Sequence, residues 1–223
     1  MGNLIKTKYF TKKNILKKSS SMLKQVKKVV NLKNLEYSFK KSAMLVLDMQ
    51  KFFLSKESHA YIPSAEAIIP IINELITIYY EKNLPVIFTK HINTKENAGK
   101  MERWWRKLIK KENPLSKIVQ NFYLSKGIVI NKAQYDAFYN TELDKILNKN
   151  NVEQLIITGV MTHLCCETTA RSAFIRGYDV FFLIDGTATY NEYFHIATIL
   201  NLAHGFASLV LSKWIKGKLD ENL

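Results

Sequence analysis

Three residues of unlike chemistry each follow a short apolar run: Asp48 after residues 43–47, Lys132 after residues 127–130, and Cys165 soon after residues 155–158. Singly, each has an ordinary explanation. Aspartate is a common turn former, lysine is usually solvated, and a free cysteine behaves as a small buried apolar residue. Together they make a set that can cleave an acyl bond. A thiolate attacks a carbonyl carbon, whereas the thiol does not. Asp48 can take the thiol proton and return it to a leaving amine. Lys132 can stabilise the thiolate and keep the neighbouring carboxylate ionised. Cys165 and Cys166, the chain's two cysteines, stand where a helix begins, and a helix N-terminus lowers a thiol's pKa. Backbone N–H groups of Met161 and Cys165 can form an oxyanion hole, where a lost donor costs about 3–4 kcal/mol in a comparable site.

The elements that must carry these residues alternate in type. Residues 155–186 read strand, tight turn at Gly159, helix, Gly177, strand, the order of a βαβ unit. Apolar runs at 43–47, 84–88, 127–130, 155–158, 180–184 and 207–211 predict strands. Helical spacing predicts helices over 68–80, 101–109, 138–147 and 192–204. This alternation predicts a three-layer α/β/α sandwich around a mostly parallel, about six-stranded Rossmann-like sheet. Ligands of such sheets bind beyond the carboxyl ends of the strands. Asp48, Lys132 and Cys165 fall there, with His91 and Asp185 at two further strand ends.

The remainder bounds the class of protein. With 223 residues and 47% apolar content, the chain can bury a substantial core. No apolar run reaches the roughly 18 residues that span a bilayer, and two adjacent cysteines do not make a disulfide framework. These features predict a reduced, cytoplasmic protein. Charge is uneven. Residues 1–41 hold twelve lysines and one acid, Glu36, a net +11 of the chain's +14, which leaves +3 for residues 42–223. The expected division is therefore a basic N-terminal arm, partly helical or disordered, over 1–41 and a catalytic domain over 42–223. Met22, Val26, Val29 and Val30 recur at helical spacing among lysines from about Ser21. Such an arm can pack on its own domain or on a partner subunit. It can also contact nucleic acid or an anionic membrane, or act as a basic targeting segment.

Three blocks in order, LVLDMQKFF (45–53), VINKAQYDAF (129–138) and GVMTHLCCETTARSAFIRGYDV (159–180), resemble the isochorismatase-like cysteine hydrolases over roughly residues 42–212. The resemblance places the family's catalytic aspartate, lysine and cysteine on Asp48, Lys132 and Cys165, and gives Cys166 a packing role. It also implies a cis peptide at Val160–Met161, which turns the Met161 N–H toward the oxyanion, and a homo-oligomer. Two departures bear on substrate. His163 stands where amidase members have aspartate and resembles the vinyl-ether branch, but that branch has glycine in place of Cys165. After the second strand, His91-Ile92-Asn93 replaces the metal-binding Asp-x-His of the nicotinamidase branch. The expectation is no metal or other cofactor, and nicotinamide not a preferred substrate.

Several side chains near these blocks are candidate substrate contacts: Gln50, Phe53, His91, Trp104, Tyr135 and His163. Trp104 and Trp105 are adjacent, so a helix cannot turn both to one side. The leading reading is a cysteine hydrolase of a small amide, carbamoyl or ureide compound through an acyl-enzyme thioester. Two alternatives are a vinyl ether hydrolase using Asp48 as general acid, and a binding or anchoring protein acting through its basic arm.

Overall fold

The computed structural model describes residues 5–105 and 107–220. In chain order the elements are α1 (Ile15–Lys27), β1 (Ser42–Leu47), α2 (Lys51–Leu54), α3 (Ala65–Glu81), β2 (Val86–His91), α4 (Lys95–Ala98), α5 (Met101–Trp105), β3 (Ile128–Lys132), α6 (Leu143–Lys149), β4 (Gln154–Val160), α7 (Glu167–Ile175), β5 (Asp179–Ala188), α8 (Glu192–Gly205), β6 (Ser208–Val210) and α9 (Ser212–Asp220). The six strands form one parallel sheet in the order β3-β2-β1-β4-β5-β6. Helices cover both faces. α3 and α9 pack together on one side, and α1, α7 and α8 on the other. β1 and β4 are buried at every position, as continuous apolar runs covered on both faces must be.

Chain direction across the sheet reverses between β1 and β4, which opens a crevice at their carboxyl ends. Two local features shape it. Gly159 has φ +105°, and a Cβ there would lie 2.1 Å from the Leu47 carbonyl oxygen, so only glycine lets β4 pass β1 this closely. Asp48 follows β1 in the left-handed region, at φ +51°, which aspartate tolerates better than most residues. The Val160–Met161 peptide is cis.

Three sequence expectations shift. The helix expected over 138–147 runs only from Leu143 to Lys149, because the Asp136 carboxylate accepts the Phe138 N–H and holds the preceding segment as a turn. The helix expected over 101–109 stops at Trp105. The arm is ordered earlier than its spacing suggests. α1 begins at Ile15 and buries Ile15, Ser19, Met22 and Val26, while Tyr9 and Phe10 before it are also buried. Residues 1–4 of the expected arm lie outside the described residues. Among those described, no helix is long and apolar enough to cross a membrane.

Candidate active site

The three reactive residues arrive from three strand ends and meet. Lys132, the last residue of β3, places Nζ 2.7 Å from Asp48 Oδ2 and 3.2 Å from Cys165 Sγ. Both side chains of the ion pair are fully buried. Lys132 also donates to the Gln134 carbonyl at 2.9 Å. Thr89 completes the hold on Asp48: its hydroxyl donates to Asp48 Oδ1 at 2.6 Å and accepts the Asp48 N–H at 3.1 Å. Thr89 is not among the residues expected from sequence, although it shares a strand face with His91 two residues on.

Cys165 lies on a wide turn, Thr162–Cys166, between β4 and α7, where the Met161 carbonyl accepts both the Leu164 and Cys166 N–H groups. Turns of this width recur at functional positions. Cys166 is fully buried and its thiol points to the Thr158 carbonyl at 3.9 Å, a packing role.

Electrostatics set the resting protonation. Burial opposes ionisation of Asp48, but the Lys132 ammonium, His91 and the hydrogen bonds from Cys165 and Lys132 together outweigh it and hold the carboxyl below its ordinary range. Burial likewise opposes the charge on Lys132, and Asp48 with Cys165 carries it above the usual lysine range. Cys165 goes the other way. Burial pushes its thiol up to about 12, with Lys132 acting against the rise and Asp48 adding to it. This direction is opposite to the lowering expected from a helix N-terminus, because burial is the largest influence on the thiol. The resting site is a neutral thiol between a carboxylate and an ammonium.

His91 sits at the edge of this group. Its Nδ1 is 3.4 Å from Lys132 Nζ, and its Nε2 is 3.0 Å from Asn93 Oδ1. Burial first, then Lys132, lowers its pKa to about 4. It is therefore a neutral imidazole that donates through Nε2 to Asn93 and offers Nδ1 to the lysine.

A cavity opens above Cys165. Its apolar lining includes Phe53, Trp105, Met161 and Tyr190, and its polar lining His91 and Tyr135. The Trp105 indole N–H donates to the Tyr135 hydroxyl at 2.7 Å, leaving the phenolic proton free for another acceptor. Three of the expected substrate contacts, Phe53, His91 and Tyr135, are thus on the wall.

The other three are elsewhere. Trp104 is 76% exposed, and Trp105 takes the inward place. Gln50 is fully buried as a clamp: its side-chain amide donates to the His91 and Ser116 carbonyls and accepts the His91 N–H. His163 stacks on Phe194, with ring centroids 4.3 Å apart, and pairs with Thr189 Oγ1 at 2.6 Å. Burial lowers the His163 pKa to about 4, so it is a neutral packing group outside the cavity. Asp185, expected at a strand end, lies within β5, which runs on to Ala188; it caps α9 through Ser212 and does not line the cavity. Tyr190 is a wall residue that the sequence did not single out, and Asn93, noted there only in His91-Ile92-Asn93, is another. The available signal for Tyr190 is its place two residues beyond a strand's carboxyl end.

Comparison with known proteins fits this geometry. The isochorismatase domain model matches residues 42–213. Nicotinamidase 3 of Arabidopsis thaliana is 40% identical over 177 residues, covering 76% of this chain and 84% of its own. A solved cysteine hydrolase from Pseudomonas syringae superposes with TM-score 0.83 at 22% identity, covering 87% of this chain and 100% of that one. A pyrazinamidase of Pyrococcus horikoshii, solved in complex with zinc, superposes with TM-score 0.69 at 24% identity, covering 77% and 99%.

The zinc of that last protein invites a test of the residues present here. Asp48, His91 and Cys165 offer ligand atoms all within 4.8 Å of one another. The Lys132 ammonium already stands among them, 2.7 Å from the carboxylate, 3.4 Å from the imidazole and 3.2 Å from the sulfur. A metal ion at that centre would have to displace a buried lysine from its carboxylate, leaving unpaired buried charge. His91 Nε2 is committed to Asn93. The donor set does not fit a metal. With the family model matching residues 42–213 and a relative at 40% identity, the chain belongs to the isochorismatase family of hydrolases.

Proposed function

We propose that this hydrolase is a cysteine amidohydrolase of small, largely planar amides, with carbamoyl and ureide compounds in the same class. Identity to Arabidopsis nicotinamidase 3 moves aromatic primary amides of the nicotinamide type to first candidates, against the expectation drawn from His91-Ile92-Asn93. The observation that carries the reading is the buried Lys132 ammonium between Asp48 and Cys165, with Cys165 opening onto an aromatic cavity.

In the proposed reaction the amide carbonyl lies over Cys165 Sγ. Asp48 takes the thiol proton as sulfur bonds to the carbonyl carbon. The buried Lys132 charge favours the anionic sulfur and keeps Asp48 ready as a base. Charge on the tetrahedral oxygen goes to the N–H groups of Met161 and Cys165. Collapse breaks the C–N bond, Asp48 returns the proton to the leaving nitrogen, and an S-acyl thioester remains. Water then attacks with Asp48 again accepting a proton, releasing the carboxylic acid and restoring the thiol. One amide and one water become one acid and one amine or ammonia.

The test is ammonia release from a panel of primary amides and carbamoyl compounds, with mass measurement of the protein during turnover. We expect an acyl adduct on Cys165, and at least about a thousandfold loss of turnover in Cys165→Ala. Full activity in that variant, or pyruvate release from isochorismate that survives it, overturns the mechanism.

A further inference from the structure

The family match begins at residue 42, yet residues 5–10 lie against the candidate site. This irregular segment crosses between two loops far apart in sequence. On the first, residues 58–64, the Phe10 N–H donates to Ser64 Oγ at 3.0 Å, and Lys6 Nζ donates to the His59 carbonyl. On the second, residues 189–191, the Thr7 N–H donates to the Tyr190 carbonyl at 2.8 Å, and Asn191 Nδ2 donates to the Ile5 carbonyl at 3.0 Å. The Lys6 ammonium also lies 4.3 Å from the centroid of the Tyr190 ring. His59 and Tyr190 both line the cavity above Cys165. One lysine thus joins two of its walls.

Tyr9 reaches behind the turn that carries Cys165. Its buried hydroxyl accepts the Thr189 N–H at 3.0 Å and donates to His195 Nδ1 at 2.9 Å. The Thr189 hydroxyl in turn pairs with His163, the second residue of that turn. A side chain held through such a shell keeps its reactive atom in place, and small misplacements of a reacting group are costly in rate.

We propose that residues 5–10 form a strap that positions the site, with Lys6 fixing the wall made by His59 and Tyr190, and Tyr9 bracing the nucleophile turn. The proposal rests on the reading of Cys165 as the nucleophile at the floor of this cavity. Lys6 and Tyr9 act through other residues, so their signature is in binding and positioning.

The experiment compares full-length native protein with Lys6→Met, Lys6→Arg and Tyr9→Phe. It reads kcat and KM for the best amide, the melting temperature, and the rate at which iodoacetamide alkylates Cys165, followed by mass. Lys6→Met should raise KM about fivefold with kcat within about twofold and an unchanged melting temperature, and Lys6→Arg should restore KM. Tyr9→Phe should lower kcat more than it raises KM. An unchanged KM in Lys6→Met, or no recovery with arginine, overturns the strap. Where native protein cleaves no amide, the proposed reaction fails by itself and alkylation decides the strap. Lys6→Met then alkylates at least about threefold faster than native and Lys6→Arg does not, whereas equal rates in all three overturn it. Lys6 is only partly buried, so Lys6→Met keeps the test alive if Tyr9→Phe does not fold.

Discussion

The floor and the walls of the cavity are built on different principles. The floor is charged, fully buried and delivered by strand ends: Asp48 after β1, Lys132 at the end of β3, Cys165 beyond β4. Its positions are fixed by sheet register, in which His91 pairs with Lys132 and Leu47 with Gly159. The walls come largely from short helices and loops, and are mostly apolar. A floor held by register and charge tolerates almost no substitution. A wall held by packing can change its shape while the chemistry beneath it stays the same. Under the proposed reaction, the floor sets the chemistry and the wall the choice of substrate.

The largest expected effect breaks the floor. Lys132→Met leaves the Asp48 carboxylate buried without its ammonium, a loss of about 3–5 kcal/mol, or roughly 10 °C in melting temperature for a chain of this size. Turnover should vanish with it. The double variant Lys132→Met, Asp48→Asn should recover most of the stability and none of the activity. Thermal melts of the four proteins in that cycle check this, and a stable single variant would mean that the pair is solvated.

The next effect sharpens the electrostatics of the floor. With the Cys165 thiol pushed up to about 12, the thiolate fraction at neutral pH is small and grows with pH. Alkylation of Cys165 by iodoacetamide should therefore climb by about tenfold per pH unit between about pH 7 and 10, with no plateau. A plateau near neutrality would show a preformed thiolate and return the dominant influence to the helix end.

The smallest effect separates wall from surface. Trp105→Phe removes the indole N–H that holds the Tyr135 hydroxyl and should raise KM about three- to tenfold with little change in kcat. Trp104→Phe should change neither. Steady-state kinetics on the two variants decide it, and equal effects would erase the distinction between the neighbours.

Legibility in the sequence follows the same division. Strand ends can be read from apolar runs, so residue types and their order predict the parallel sheet and put Asp48, Lys132 and Cys165 at its strand ends, while the resemblance of three blocks joins them into one set. The wall has no period to read. Whether Trp104 or Trp105 faces inward depends on the rotation of a five-residue helix, which packing sets. Tyr9 and Phe10 are buried in an irregular segment whose local composition is basic and polar. Gln50 and His163 depart from expectation for a shared reason: polar side chains next to reactive ones also serve as internal hydrogen-bond partners, and only the surrounding backbone shows which use applies. The +11 of residues 1–41 suggests a partner surface, yet Ile15, Met22 and Val26 of α1 face the chain's own core, while Leu16 and Val29 are exposed.

Lys132 ends β3, the outermost strand on its side of the sheet, which pairs with β2 alone among the described strands. Ile128 and Val129 on that strand are exposed. Edge elements with few covered contacts open at lower free energy than the centre of a sheet. The cation of the site therefore rides on one of the more easily frayed parts of the fold, while its aspartate and thiol sit beside the interior strands. Local opening of β3 removes the ammonium and leaves the core standing. Under mild heat or denaturant, inactivation of this chain should precede its unfolding, with amide exchange in β3 outrunning that in β1 and β4.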